Sequence, residues 1–286
     1  MQRRIKNFKN IVTNYKAVFF DAFGVLKNHQ GLIPGIIKTF EYLDEKGIKY
    51  YILTNDSSRS PEALAKWYQE RGVWQVTSDK ILSSGMLAME YFKAKVDNGH
   101  SVAYLGTLNS AHYIETAGLN TVAVKDVDLD DLENVDSFAF LDDEGFNWND
   151  DINKTINLLR KKNMTVVVAN TDINYPVSQN DISVAVGSLA DMVEKIIGKM
   201  FIRFGKPDAQ MFLLAYERAL LDINRLKRNE ILMVGDTLFT DIIGGNKFGL
   251  DTVLVLSGNT LPDMAMIRIS SSGIIPTYIC ETAVVG

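Results

Sequence analysis

The chain reads as an α/β fold built on a mostly parallel sheet, and three observations predict it. Short unalternated apolar runs recur along its length, stretches with helical spacing separate them, and polar, chemistry-bearing residues follow directly on several of the runs. Runs of this kind are the mark of strands buried on both faces, as in parallel sheets covered by helices. Strand–helix alternation with right-handed crossovers then gives the fold class.

In chain order the runs are 17–20, 50–53, 101–105, 138–141, 165–168, 231–234 and 252–256. Ile36, Ile37, Phe40 and Leu43 repeat at helical spacing and end at Gly47, a C-terminal cap signal. Ser60 followed by Pro61 reads as an N-cap with proline at the first helical position. Phe212, Ala215, Tyr216, Ala219 and Leu220 form a further stripe after Pro207 and Asp208. The acidic segment 126–133 lacks a turn glycine and is broken by leucines, so it reads as a solvated surface and not as a calcium loop. Asp142, Asp143 and Glu144 read as part of a loop leading into a helix.

Composition narrows the function classes. The 286 residues suggest about two domains. A net charge of −5 supplies no broad positive field for a nucleic-acid backbone. One cysteine, Cys280, excludes a disulfide framework or a cysteine zinc site, and three scattered histidines disfavour a histidine metal site. The basic opening at residues 1–6 is not followed by an apolar segment, and no window is apolar enough for a membrane helix. The expectation is a cytoplasmic protein with a small-molecule ligand and neither nucleic acid nor membrane as partner.

In open parallel sheets, ligands gather beyond the carboxyl ends of the strands. The first run is followed by Asp21, the second by Thr54 and Asn55, and a run near 231–234 by Gly235 and Asp236, with Asp241 five residues on; Gly205-Lys206-Pro207 precedes a helix. Together these suit phosphoryl chemistry. Asp21 can attack phosphorus, Thr54 and Asn55 can donate to phosphate oxygens, Lys206 can balance charge, and Asp21 with Asp236 can hold Mg²⁺ through oxygen ligands. Taken singly each has an ordinary reading: a turn residue, a helix start, an N-cap, a solvated helix face. Their order along the chain, each at an element end, carries the argument.

From Val18 to about Ser257 the sequence resembles the haloacid dehalogenase-like hydrolases, and within them the NagD-type sugar phosphatase branch. Asp21-Ala22-Phe23-Gly24-Val25 is similar to the first motif, D-x-D-G-[TV], and Thr54-Asn55 to the second. Gly205-Lys206-Pro207 matches the third, and Gly235 through Asp241 the fourth, G-D-x-x-x-T-D. Leu254 through Gly258 matches a branch segment after the next strand. The resemblance implies a Rossmann-like core of residues 1–85 and 200–286, with residues 86–199 as a large inserted α/β cap. Within that cap, Asn170, Asp172 and Tyr175, with Pro176, resemble a loop that lies over the active site and selects substrate. The implied reaction passes through an aspartyl-phosphate on Asp21. Mg²⁺ would bridge Asp21, the main-chain carbonyl of Phe23 and Asp236, while Lys206 balances charge and Asp241 orients Lys206 or a metal-bound water. A homodimer formed through the cap is also implied.

One departure matters. The second aspartate of the first motif, the family's general acid and base, is Phe23 here, which has no proton to give. Three readings stand: a phosphatase that is slow or selective for good leaving groups, a silent relative that binds phosphorylated ligands, and a dehalogenase, whose first motif also reads D-A-[FY]-G. The retained Asp236 and Asp241 and the long inserted segment place the phosphatase first and the dehalogenase last. The bland expectations are His29 on a surface loop, Arg59 at a helix start, Trp67 and Trp148 as packing residues, and Cys280 buried.

Overall fold

The computed structural model describes residues 5–96, 99–178 and 181–286. The first four residues of the basic opening therefore lie outside the described residues.

The apolar runs become strands of two separate parallel sheets. The first has six strands, in the spatial order Tyr278–Cys280, Asp251–Val255, Ile231–Gly235, Ala17–Phe20, Lys49–Thr54 and Ile81–Ser83, all parallel. Alternate residues of the central strand face opposite cores. Val18 and Phe20 pack with Phe40, Tyr50 and Leu64, whereas Ala17 and Phe19 pack with Tyr51, Phe212 and Met233. Helices Ile36–Glu45 and Pro61–Gln69 cover one face, and helix Ala209–Asp222 covers the other. This two-sided burial is why the runs show no alternation. Ser60 caps its helix as expected, its hydroxyl accepting from the Ala63 amide, and Gly47 follows helix Ile36–Glu45 at φ +67°.

The second sheet is built from the intervening chain: Asn120–Ala123, Ser101–Leu105, Val135–Phe140 and Thr165–Val168, in parallel order. Its fifth strand, Ile202–Arg203, pairs with Thr165–Val168. Helices Trp148–Lys161 and Val186–Ile197 pack one face, and Ser84–Lys95 and Leu108–Thr116 the other. Acidic segment 126–133 lies at the surface as expected, its aspartates exposed. Trp148, expected as a packing residue, is 46% exposed and stacks on Phe146 at the start of its helix. Cys280 is buried, and burial pushes its thiol up to about 12. Among the described residues no helix is long and apolar enough to cross a membrane.

Strand order in the first sheet reverses between Ala17–Phe20 and Ile231–Gly235. Successive strands run one way from Ala17–Phe20 to Ile81–Ser83, then the other way from Ile231–Gly235 to Tyr278–Cys280. Diverging crossovers leave a crevice at the carboxyl ends of those two neighbours. Asp21 and Asp236 are the residues that immediately follow them.

Candidate active site

Main-chain geometry brings the two strand ends together. The Asp21 amide donates to the Val234 carbonyl at 2.8 Å, so the loop after the first strand is tied to its neighbour. That loop turns at Gly24, φ +81°, where a Cβ would lie 2.1 Å from Asp236 Oδ2. Gly258 meets the same oxygen from the other side, at 1.9 Å for an added Cβ. Two glycines thus leave the space in which the Asp236 carboxylate sits. The Asn259 amide donates to Asp236 Oδ2 at 2.6 Å, and the Thr237 hydroxyl donates to Oδ1 at 2.9 Å. Ser257 closes the cradle by donating to the Gly24 carbonyl at 2.7 Å.

Asp241 stands on a π-helical turn, Leu238–Ile242, that folds back beneath the strand end, and the Thr237 amide donates to its Oδ2 at 3.1 Å. Lys206, 2% exposed, reaches in from the loop before helix Ala209–Asp222. Its Nζ lies 2.5 Å from Asp21 Oδ1 and 2.8 Å from Asp241 Oδ1. Loss of water pulls the Lys206 ammonium down, but Asp21, Asp241 and Asp172 outweigh it and hold the group above the ordinary lysine range. Burial, reinforced by Asp21, lifts both remaining carboxyls. Asp236 stands well above the usual carboxylate range, and Asp241, although Lys206 opposes the lift, is pushed up to about 7.

Asp21, Asp236 and Asp241 each offer an oxygen within 4.8 Å of the other two. An all-oxygen set with excess negative charge suits a hard divalent cation, which would relieve the mutual repulsion of the carboxylates. The donor chemistry of the three carboxylates therefore fits a hard divalent cation such as Mg²⁺.

Thr54 ends its strand buried, its hydroxyl oxygen accepting from the Asp56 amide at 3.1 Å. Asn55 is also buried, and its side chain is engaged. Oδ1 accepts from the Lys206 amide at 2.7 Å, while Nδ2 donates to the Lys206 carbonyl, Thr171 Oγ1 and Asp172 Oδ1 at 3.1, 3.2 and 2.9 Å. Gly205 permits this approach, since a Cβ there would lie 2.6 Å from Asn55 Oδ1. Asn55 thus joins the lysine loop of the first sheet's unit to loop 170–173 of the second.

The inserted chain contributes a second wall. Asn170 Oδ1 accepts from the Asp172 amide at 2.8 Å, shaping that loop. The Tyr175 ring meets the Phe23 ring edge to face at 6.3 Å, and its hydroxyl donates to Asp143 Oδ2 at 2.8 Å. Loss of water pushes the Tyr175 hydroxyl up to about 12 and raises Asp143; it lifts neighbouring Asp142 to about 6, partly offset by the Thr107 hydroxyl. Ser57 ties the walls together by donating to the Leu141 carbonyl at 2.5 Å. His29 and Arg59 are exposed, the latter offering its carbonyl to Tyr113.

The structure therefore gathers Asp21, Lys206, Asp236 and Asp241 at one point, with Thr54 and Asn55 at the adjoining strand end. Asp172 and Tyr175 enter from the insertion, and Asn170 braces their loop. Sequence reasoning missed Asp143 as a partner of this wall, and Ser57 and Asn259 as supports. Asp143 did stand in an acidic run after a predicted strand, which is the one signal that pointed to it.

A family model described as haloacid dehalogenase-like hydrolase matches residues 18–120, and a second, described as HAD-hydrolase-like, matches 203–282. Chronophin of Bos taurus is 27% identical over 280 residues, covering 96% of this chain and 93% of its own length. Acid sugar phosphatase of Staphylococcus aureus strain USA300 is 26% identical over 266 residues, covering 92% and 93%. A crystal structure of a possible sugar phosphatase of the HAD superfamily from Cytophaga hutchinsonii shares 53% identity and a TM-score of 0.94, covering 99% of each chain.

Proposed function

Because the chain belongs to the haloacid dehalogenase-like hydrolases, in their phosphatase branch, we propose that it is a Mg²⁺-dependent phosphatase for a small phosphorylated metabolite, a sugar phosphate or similar. The observation that carries this reading is Asp21 at the point where strand order reverses, its carboxylate 2.5 Å from a buried Lys206 and grouped with Asp236 and Asp241.

In this reading Asp21 attacks phosphorus in line and the alcohol leaves. Water then cleaves the aspartyl-phosphate. Lys206 keeps Asp21 in place and meets the charge on the transferred oxygens, held for that role by Asp241. Asp21, Asp236 and the Phe23 carbonyl would hold Mg²⁺, with Asp241 completing the acidic set. The cation, when bound, supplies positive charge against the phosphoryl oxygens. Thr54 and Asn55 border the phosphate, Asn55 chiefly by fixing Lys206. Preset charge and position account for most of the acceleration in such sites.

Residues 86–199 act as the cap in this proposal, with Asn170, Asp172 and Tyr175 selecting substrate and residues 1–85 and 200–286 forming the core. Ile202–Arg203 pairs within the second sheet, so the return to the first sheet's unit comes after residue 203, four residues beyond the bound of 199 read for the cap. A homodimer through the cap belongs to the same reading and is checked by sedimentation. With no other acid at the leaving oxygen, Phe23 makes turnover slow or selective for leaving groups that need no protonation, so that aryl and acyl phosphates outrun alkyl ones.

The same phenylalanine favours a second reading, a silent binder of phosphorylated ligands. A panel of phosphorylated metabolites with Mg²⁺, run beside a chloroacid, tests all of this. Phosphate release that disappears in Asp21→Asn supports the proposal. Saturable binding of phosphorylated compounds without turnover points to the binder, and chloride release to a dehalogenase.

A further inference from the structure

Loss of a phosphate ester's alcohol requires a proton for the departing oxygen, and the loop carrying Asp21 offers only the Phe23 ring at that side. Asp172 is a carboxyl that the insertion brings against the lysine loop of the site. Its Oδ1 accepts from Asn55 Nδ2 at 2.9 Å, and Asn55 in turn holds the amide of Lys206 at 2.7 Å. Thr171, next to it, donates to the Lys206 carbonyl at 2.9 Å. Behind the loop, Gly187 in the first turn of helix Val186–Ile197 lets the chain approach closely, since a Cβ there would lie 2.5 Å from the Asp172 carbonyl oxygen. The Asp172 main chain is thereby backed by the helix start, while its carboxyl is held by Asn55, which links it to Lys206.

We infer that Asp172 is the general acid and base of this site, serving the leaving oxygen in place of the residue that Phe23 displaces. The inference rests on the phosphatase reading. In the first step Asp21 forms its bond to phosphorus, the ester bond breaks, and its electron pair takes the proton of the Asp172 carboxylic acid. In the second, water oxygen bonds phosphorus, the bond to Asp21 breaks with its electrons returning to the carboxylate, and the water proton passes to Asp172. Both groups end as they began.

The charge environment is compatible with this role. Loss of water raises the carboxyl to about 6, Lys206 opposes the rise, and Asp21 and Asp56 add to it, while the Asn55 amide stabilises the ionised form.

The test compares kcat/KM for an alkyl phosphate and p-nitrophenyl phosphate in the wild type, Asp172→Asn and Gly187→Ala, across pH 5 to 9. p-Nitrophenolate leaves without a proton, so its turnover also reports that a variant is folded. Expected for Asp172→Asn is a loss of about 10²-fold or more on the alkyl ester, with a loss at least about ten-fold smaller on the aryl ester. The wild-type alkyl profile falls as pH rises through about 6, where the acid form is lost, and the variant loses that limb. Gly187→Ala, which displaces the loop, shows the same selective loss. Equal losses on both esters, or a limb that persists in Asp172→Asn, overturn the assignment to Asp172 and leave the phosphatase reading standing. A wild type that hydrolyses neither ester overturns both.

Discussion

Replacing Lys206 with methionine is the most direct probe of the assembled centre, because the thioether chain fills the lysine stem and removes only the charge. Lys206 Nζ lies 2.5 Å from Asp21 and 2.8 Å from Asp241, and the side chains of Lys206 and Asp241 are nearly sealed from water. At an effective dielectric of about 20 each contact is worth about 6–7 kcal/mol of Coulomb attraction at most. Much of that is offset by the cost of burying the ions, so removing one partner of such a group costs about 3–5 kcal/mol. At about 2–4 °C per kcal/mol, the melting temperature should fall by about 6–20 °C. The assay is thermal unfolding by circular dichroism at pH 7.5 with chelator present, so that no cation substitutes for the ammonium. The double variant Lys206→Met with Asp241→Asn removes one orphaned charge and should recover about half of the loss. A single variant that melts within about 2 °C of wild type would refute the view that Lys206 holds the carboxylates together.

Three further outcomes follow from the same geometry. In the Asp172→Asn background, Phe23→Asp supplies a new carboxyl near Asp21 and should restore alkyl-phosphate kcat/KM by about 10²-fold, while disrupting the ring contact with Tyr175; unchanged turnover would show that protonation is not limiting. Asp142, raised to about 6 by burial, holds its proton more tightly folded than unfolded, so its ionisation lowers stability as pH climbs from about 4 to 6. Asp142→Asn should therefore stabilise at pH 7.5 by about 1–2 kcal/mol, discounted for partial exposure, with little effect at pH 4.5, as read by urea unfolding. Millimolar Mg²⁺ should raise the melting temperature of the wild type, and Asp236→Asn should abolish that shift; an undiminished shift would place the cation elsewhere.

The strands and the polar residues that follow them were legible because each depends on local chain. A strand buried on both faces must be apolar at every residue, so Ala17–Phe20 and Ile231–Gly235 announce themselves, and polar residues after them stand out. Strand Ile202–Arg203 was illegible for the converse reason: two residues, neither buried, carry no period. Trp148 misled because a large ring usually signals packing, yet its position at the first turn of an amphipathic helix leaves it half in water. The commitment of the Asn55 amide could not be read, since a strand-end asparagine looks the same whether it waits for phosphate or already clamps Lys206 and Asp172.

By itself the sequence determined that a parallel α/β protein carries an aspartate, a lysine and a carboxylate pair at strand and helix ends, in an order that suits phosphoryl chemistry, and that Phe23 stands where the resembled motif has its second aspartate. The resemblance had already put Asp172 and Tyr175 on a loop over the site; only the tertiary structure decided how they meet it and brought Asp143 there. Asp143, Asp172 and Tyr175 lie more than a hundred residues from Phe23 along the chain, and their approach depends on how the inserted sheet seats on the core through Asn55 and Ser57. Residue type and spacing record what a strand end can do. How a distant side chain engages it, as Asp172 does through Asn55, is set by packing between two separately built sheets, and local pattern does not encode that contact.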